Sequence, residues 1–275
     1  MMIGKNTMMM KENKLKKVSS YKQEEKMHST YELAMRYAYS GGYEKAIELF
    51  KTLKGNRDAL NDIGVSYERL KNYEKAYEYY KKADTLLSLG NILALYNTKK
   101  IPMNVMEYET ICDKLIEYGY YDAYVYLSKL YAKGHPEVPE NGELALKYAK
   151  EGYELFPSQI SIIFNYAWCL CLYAKKEEEK ELSHKLFEGM LFVDRKEDRE
   201  ISAVAKYNYA YQLENGIGCD KDIDRAIYWY IKAFEEHFDN AALALAYIYQ
   251  SYEGYINEDA ANFWKEQYDE NGGEA

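Results

Sequence analysis

Apolar and small residues recur along this chain at intervals of three and four. In the stretch DIDRAIYWYIKAFEEHFDNAALALAYIY, residues 222–249, Ala226, Tyr230 and Ala233 fall on one helical stripe at i, i+4 and i+7. Asn240 stands where it could cap a following helix, in which Leu243, Ala246, Tyr247 and Tyr249 supply the next apolar set. Upstream, Tyr209, Ala210 and Leu213 make a similar set, closed by Gly216 and Gly218. The predicted unit is a helix with a small residue near its middle and a short loop. A second helix follows, with an alanine early and an aromatic residue four later.

The same unit recurs through the chain. Ala34 and Tyr37 are followed, after Gly41 and Gly42, by Ala46 and Phe50. Gly64 and Tyr67 precede Ala76, Tyr80 and Ala83. Gly90 and Leu93 open a third copy, whose second helix is displaced by Pro102 to about 104–118. Ser128 and Tyr131 begin a fourth copy, completed across a long loop by Ala145 and Ala149. Ala167 and Leu170 begin a fifth, with Ser183 and Phe187 in its second helix. Ala210 belongs to the sixth, and Ala246 and Tyr249 open a seventh, completed by Ala260 and Trp264. The central small residues 34, 64, 90, 128, 167, 210 and 246 are separated by 30, 26, 38, 39, 43 and 36 positions.

Close approach explains the pattern. Antiparallel helices pack at about 8–10 Å when small residues occupy the crossing. One pair cannot bury its apolar face alone, but a stack of pairs can. Glycines after first helices suit the left-handed backbone of a helix end.

These residues carry a family resemblance. The sixth copy, YNYAYQLENGIGCDKDIDRAIYWYIKAF, resembles a Sel-one-like repeat, with its small residue, glycine-rich loop, aspartate, alanine and Trp-Tyr pair. The first two copies, with GGYEKA and KNYEKAYEYY, resemble ordinary tetratricopeptide units. The resemblance covers residues 28–268. It implies an all-α, right-handed α-solenoid, a superhelix of about seven antiparallel helix pairs with a concave groove. It also implies a non-enzymatic protein-binding scaffold. Some secreted relatives staple each repeat with a cysteine pair, and this chain has none. Of the asparagines with which some tetratricopeptide proteins grip a C-terminal carboxylate, Asn91 alone can be placed, so that activity is not carried over.

Composition adjusts the picture at three points. Tyrosine is unusually frequent, with 32 copies in 275 residues, against only four prolines, so many half-buried rings and few sharp turns are expected. Residues 1–30 carry seven lysines and three glutamates, so the −9 of the whole chain leaves −13 on the remainder. That acidic body lacks the basic face that phosphate contacts need, so no nucleic-acid partner is expected, and any ligand should be neutral or basic. Residues 1–27 are read as a basic tail, disordered or loosely helical, and 269–275 as a C-terminal tail. The clustered methionines near the start leave no apolar run long enough for a signal peptide. No run of eighteen apolar residues appears, so no membrane span is expected. Cys112, Cys169, Cys171 and Cys219 read as small buried hydrophobes in a reducing cytoplasm.

Chemistry-bearing motifs are sparse. His28, His135, His184 and His237 are dispersed, and no HExxH, paired CxxC or phosphate-loop signature is present. Gly216-Ile217-Gly218 follows a helix and matches the repeat's own loop. Cys219 with Asp220 and Asp222 reads as a solvated acidic loop, not a metal site. The runs 175–181 and 194–200 are balanced in sign and read as solvated helix ends or loops. No converging acid, base or nucleophile is found, so no enzyme, cofactor or metal is expected.

The residues three before and one after each central small residue should face the groove. They are Tyr31 and Met35, Asn61 and Val65, Leu87 and Asn91, Val125 and Lys129, Phe164 and Trp168, Tyr207 and Tyr211, and Leu243 and Tyr247. Tyr31, Asn61, Asn91, Lys129, Trp168, Tyr207, Tyr211 and Tyr247 are the candidate binding residues, since aromatic and long polar side chains dominate interface energies. The function expected is a cytoplasmic scaffold that holds a protein or peptide. The alternative is a regulator or sensor that acts through a partner.

Overall fold

Fourteen helices joined by turns, and no strand, make up the described residues of the computed structural model, which are 26–132, 138–193 and 199–271. They follow one another as the seven pairs that the spacing predicts, in an all-α solenoid arrangement. The basic segment 1–25, His135, the charged residues 194–198 and residues 272–275 lie outside the described residues. The chain divides into two compact units, Met1–Ile111 and Cys112–Ala275, and the division falls within α6.

The first unit contains α1 (26–39), α2 (Tyr43–Thr52), α3 (Arg57–Arg69), α4 (Tyr73–Ala83), α5 (Leu86–Asn97) and the start of α6 (Val105–Glu117). Asn56 and Asn72 cap α3 and α4, accepting from the backbone N–H groups of Ala59 and Lys75. Ala34, Ala46, Phe50, Ala59 and Ile63 join three helices in one buried cluster. The α3–α4 crossing shows why a small residue is required. A Cβ on Gly64 would lie 2.5 Å from the Tyr80 ring, which is fully buried. The Tyr80 hydroxyl donates to Glu68 at 2.7 Å, which fixes the ring over the glycine.

The third pair corrects the predicted register. Gly90 is partly exposed, and a Cβ there would meet nothing within 4 Å. Leu93 holds the crossing position instead, buried to 1% exposure and eighth in α5, as Gly64 is eighth in α3. Four residues on, Asn97 accepts from the Tyr108 hydroxyl at 3.1 Å, just as Glu68 accepts from Tyr80. With Leu93 in that place the second and third separations become 29 and 35, closer to the others. A search for small residues misses a crossing filled by leucine. The displaced second helix begins at Val105, after Pro102, as expected.

The second unit contains the rest of α6, then α7 (Asp122–Tyr131), α8 (Gly142–Leu155), α9 (Ile160–Tyr173) and α10 (Glu177–Glu188). It continues with α11 (Arg199–Asn215), α12 (Ile223–Glu235), α13 (Asn240–Ser251) and α14 (Glu258–Glu270). From α7 to α14 each helix packs on the next, and among first helices α7 meets α9 and α9 meets α11. Small residues again permit the crossings. Ser128 of α7 donates to the Ala145 carbonyl of α8 at 3.0 Å, and Ser183 of α10 to the Ala167 carbonyl of α9 at 2.7 Å. Ala226, Tyr230 and Ala233 are wholly buried, as their stripe predicts. Asn240 does not cap α13. It is the first residue of that helix, and Asp239 before it is already helical (φ −61°, ψ −30°), so no side chain has the extended geometry of a cap.

Candidate binding surfaces on the first helices

In the first unit, three of the candidate residues join through one carboxylate that the sequence reading did not single out. Tyr31 of α1 donates to Asp62 of α3. Asn61 donates to the other Asp62 oxygen at 3.3 Å, and Asn91 of α5 donates to Asn61 Oδ1 at 3.1 Å. The result is a polar ladder across three successive first helices. Burial pushes the Asp62 carboxyl above its usual value, against the pull of its two donors. Burial and the Asp62 bond push the Tyr31 hydroxyl up as well, so it remains a donor at all ordinary pH values. Asp62 also lines a cavity of 320 Å³ with Met35, Tyr39, Val65 and Arg69.

In the second unit, the candidate tyrosines converge. Tyr207, Tyr211 and Glu214 lie on α11 at i, i+4 and i+7, on one stripe of the helix away from the buried Tyr209. Leu243 and Tyr247 face them from α13, and together they line an open pocket of 450 Å³. Tyr230 and Tyr252 also line it, and both donate to Glu214, at 2.6 and 2.9 Å. Glu214 itself is only 6% exposed. Tyr207 packs between Tyr230 and Phe238, with ring centroids 5.3 and 4.9 Å away. Tyr211 and Tyr247 remain 40% and 55% exposed, so their rings are free to be covered. Burial, and then the Glu214 bond, push the Tyr252 hydroxyl up to about 12.

Two candidates are not brought to either surface. Trp168 is half-buried and packs into the hydrophobic clusters on both sides of α9, so it is a core ring more than a groove ring. Lys129 is exposed on α7, apart from the tyrosine pocket. The four cysteines form no disulfide, and burial pushes the Cys169 thiol up to about 11. Cys219 donates to the Gln212 carbonyl at 3.6 Å. Among the described residues no group of three or more His, Cys, Asp or Glu is placed to hold a metal, and no helix is long and apolar enough to cross a membrane.

Sequence reasoning missed the carboxylates because Asp62, Glu68 and Glu214 look like ordinary solvated helix positions. A signal was nonetheless present. Glu68, Asn97 and Glu214 each stand four residues after the crossing position, and each receives the hydroxyl of a buried second-helix tyrosine, Tyr80, Tyr108 and Tyr230.

Paired helices with small residues at the crossings, stacked so that first helices neighbour one another, define a helical-repeat protein. Three of the pairs are Sel1 repeats: the Sel1 repeat family model matches residues 58–83, 122–155 and 203–237. These are the second, fourth and sixth pairs, so a pair that reads as an ordinary tetratricopeptide unit is also of this kind. A Sel1 repeat protein from Oxalobacter formigenes is similar in structure, with TM-score 0.60 and 19% identity over 87% of this chain and 96% of that one. The c5321 protein, a protective antigen of uropathogenic Escherichia coli with an SLR fold, gives TM-score 0.61 and 17% identity, covering 89% of this chain and 56% of that one. No curated protein sequence matches significantly.

Proposed function

We propose that the chain is a protein- or peptide-binding scaffold, and that its binding surface is the first-helix face of the second unit. The observation that carries this reading is the convergence of Tyr207, Tyr211 and Tyr247 on one open pocket. Large rings left half-exposed at a concave site supply much contact area at low entropic cost, and such rings dominate binding energies. The polar ladder of the first unit supports the same reading, since it spaces hydrogen-bonding groups along an extended path. Four cysteines that form no disulfide favour a reducing compartment such as the cytoplasm. Nothing in the arrangement requires chemistry. Two of the pocket's tyrosine hydroxyls, those of Tyr230 and Tyr252, are held as donors to Glu214.

The test is recovery of partners from native cell extract by wild type and by a Tyr211→Ala/Tyr247→Ala variant. Both rings are well exposed, so the variant should keep its helicity and melting temperature. Each true anchor should weaken binding by about 1 kcal/mol or more. Equal recovery of the same partners by a folded double variant would remove this face as the binding surface.

A further inference from the structure

We infer that the pocket between α11 and α13 receives the side-chain cation of a lysine or arginine in an extended partner segment. This rests on the scaffold reading above and names the group that the pocket selects. Three observations carry it. First, the pocket walls are tyrosine rings from three places in the chain, Tyr207 and Tyr211 on α11, Tyr247 on α13 and Tyr252 after it. The faces of such rings attract cations, most strongly where water is partly excluded. Second, the one charged residue among the lining is Glu214. Its two oxygens each accept one tyrosine hydroxyl, from Tyr230 at 2.6 Å and Tyr252 at 2.9 Å. A carboxylate oxygen has a second lone-pair direction, so each retains acceptor capacity, and two donors from neutral hydroxyls leave its charge uncompensated. Third, a cation of the chain itself already uses this ring system. Lys221, outside the lining, holds its ammonium 4.6 Å from the centroid of the Tyr252 ring.

Other occupants fit less well. An apolar side chain would cover the rings but leave the nearly buried Glu214 carboxylate, with no basic residue among the lining, without a charge partner. An anionic side chain would meet the same carboxylate with no basic group among the lining to offset it. A lysine or arginine covers the rings with its methylene stem and brings its charge to Glu214. The net charge of −9 attracts such a segment at longer range.

The probes are Nα-acetyl-arginine amide and Nα-acetyl-lysine amide, against the neutral citrulline and norleucine derivatives. The protein is labelled with ¹³C at its tyrosine rings, with signals assigned by single Tyr→Phe replacements. Both cations should shift the rings of Tyr207, Tyr211, Tyr247 and Tyr252, and the neutral derivatives should bind about tenfold more weakly. Glu214→Gln should abolish that preference, and Tyr247→Ala should weaken both cations several-fold. If Glu214→Gln fails to fold, the citrulline comparison and Tyr247→Ala decide alone. Equal binding of citrulline and arginine, or no ring shifts at all, overturns the inference. Loss of partners by the Tyr211/Tyr247 double variant without any cation preference would leave the scaffold reading standing and remove this one. A cation preference with unchanged partner recovery would reduce the pocket to a small-cation site and contradict the partner-segment assignment.

Discussion

Gly218→Ala is expected to destabilise the second unit by about 2–5 kcal/mol, far more than the same change two residues earlier. Gly218 has φ +67°, a left-handed backbone that costs an alanine roughly 1 kcal/mol. The larger part of the effect is steric. A Cβ at this position would lie 2.2 Å from the Lys180 carbonyl oxygen and 2.3 Å from its carbon. Those atoms belong to the backbone of α10, so relief requires moving a helix of the neighbouring pair, not turning a side chain. Gly216 has the same φ, but a Cβ there would meet its neighbours only at ordinary contact distance, 3.6 Å or more. Gly216→Ala should therefore show only the conformational cost, about 1 kcal/mol. Urea melts followed by circular dichroism compare the two directly. Equal losses would mean that the α11–α12 loop does not sit on α10 as described. The comparison also explains a motif. Gly216-Ile217-Gly218 looks like part of a phosphate loop, but its second glycine is demanded by packing between repeats.

Ala226→Leu should cost about 1–3 kcal/mol, while Ala38→Leu should cost less. Ala226 has no exposed surface and lies one turn before the wholly buried Tyr230, on the face of α12 that meets α11. Three additional heavy atoms there must push the two helices apart or force neighbouring rings from their rotamers. Ala38 is partly exposed on α1, and a longer side chain can lean toward solvent. Melting temperatures of the two variants give the test, and equal values would contradict the assignment of Ala226 to a helix crossing.

The fold was legible because a solenoid repeats its own evidence. Ala34, Gly64, Ser128, Ala167, Ala210 and Ala246 each mark a first helix, and one clear copy lends its register to less clear ones. The third pair was misplaced by three residues because leucine replaces the small residue at its crossing, and Gly90 offered a false substitute. The cap at Asn240 failed for a local reason. The chain enters α13 already in helical conformation at Asp239.

The candidate surface was legible in part. Offsets from Ala210 and Ala246 pointed to Tyr207, Tyr211, Leu243 and Tyr247, and those four share a pocket. The same rule nominated Trp168, which the clusters around α9 absorb instead. Glu214 and Asp62 escaped notice because a carboxylate on a helix ordinarily means solvent. Only the tertiary structure brings Tyr230 and Tyr252 to Glu214, or Tyr31 to Asp62.

The most direct measurement of where a partner sits uses two matched positions. A photo-crosslinking amino acid replaces Tyr247 on the first helix α13 in one variant and Tyr228 on the second helix α12 in the other. The native rings are 55% and 52% exposed, so both sites should tolerate the replacement and both probes should be equally available. Irradiation in native cell extract should give a discrete crosslinked partner from position 247 and none of that species from position 228. Crosslinking of the same partner from 228 and not from 247 would move the binding surface to the second helices and contradict the assignment of the tyrosine pocket.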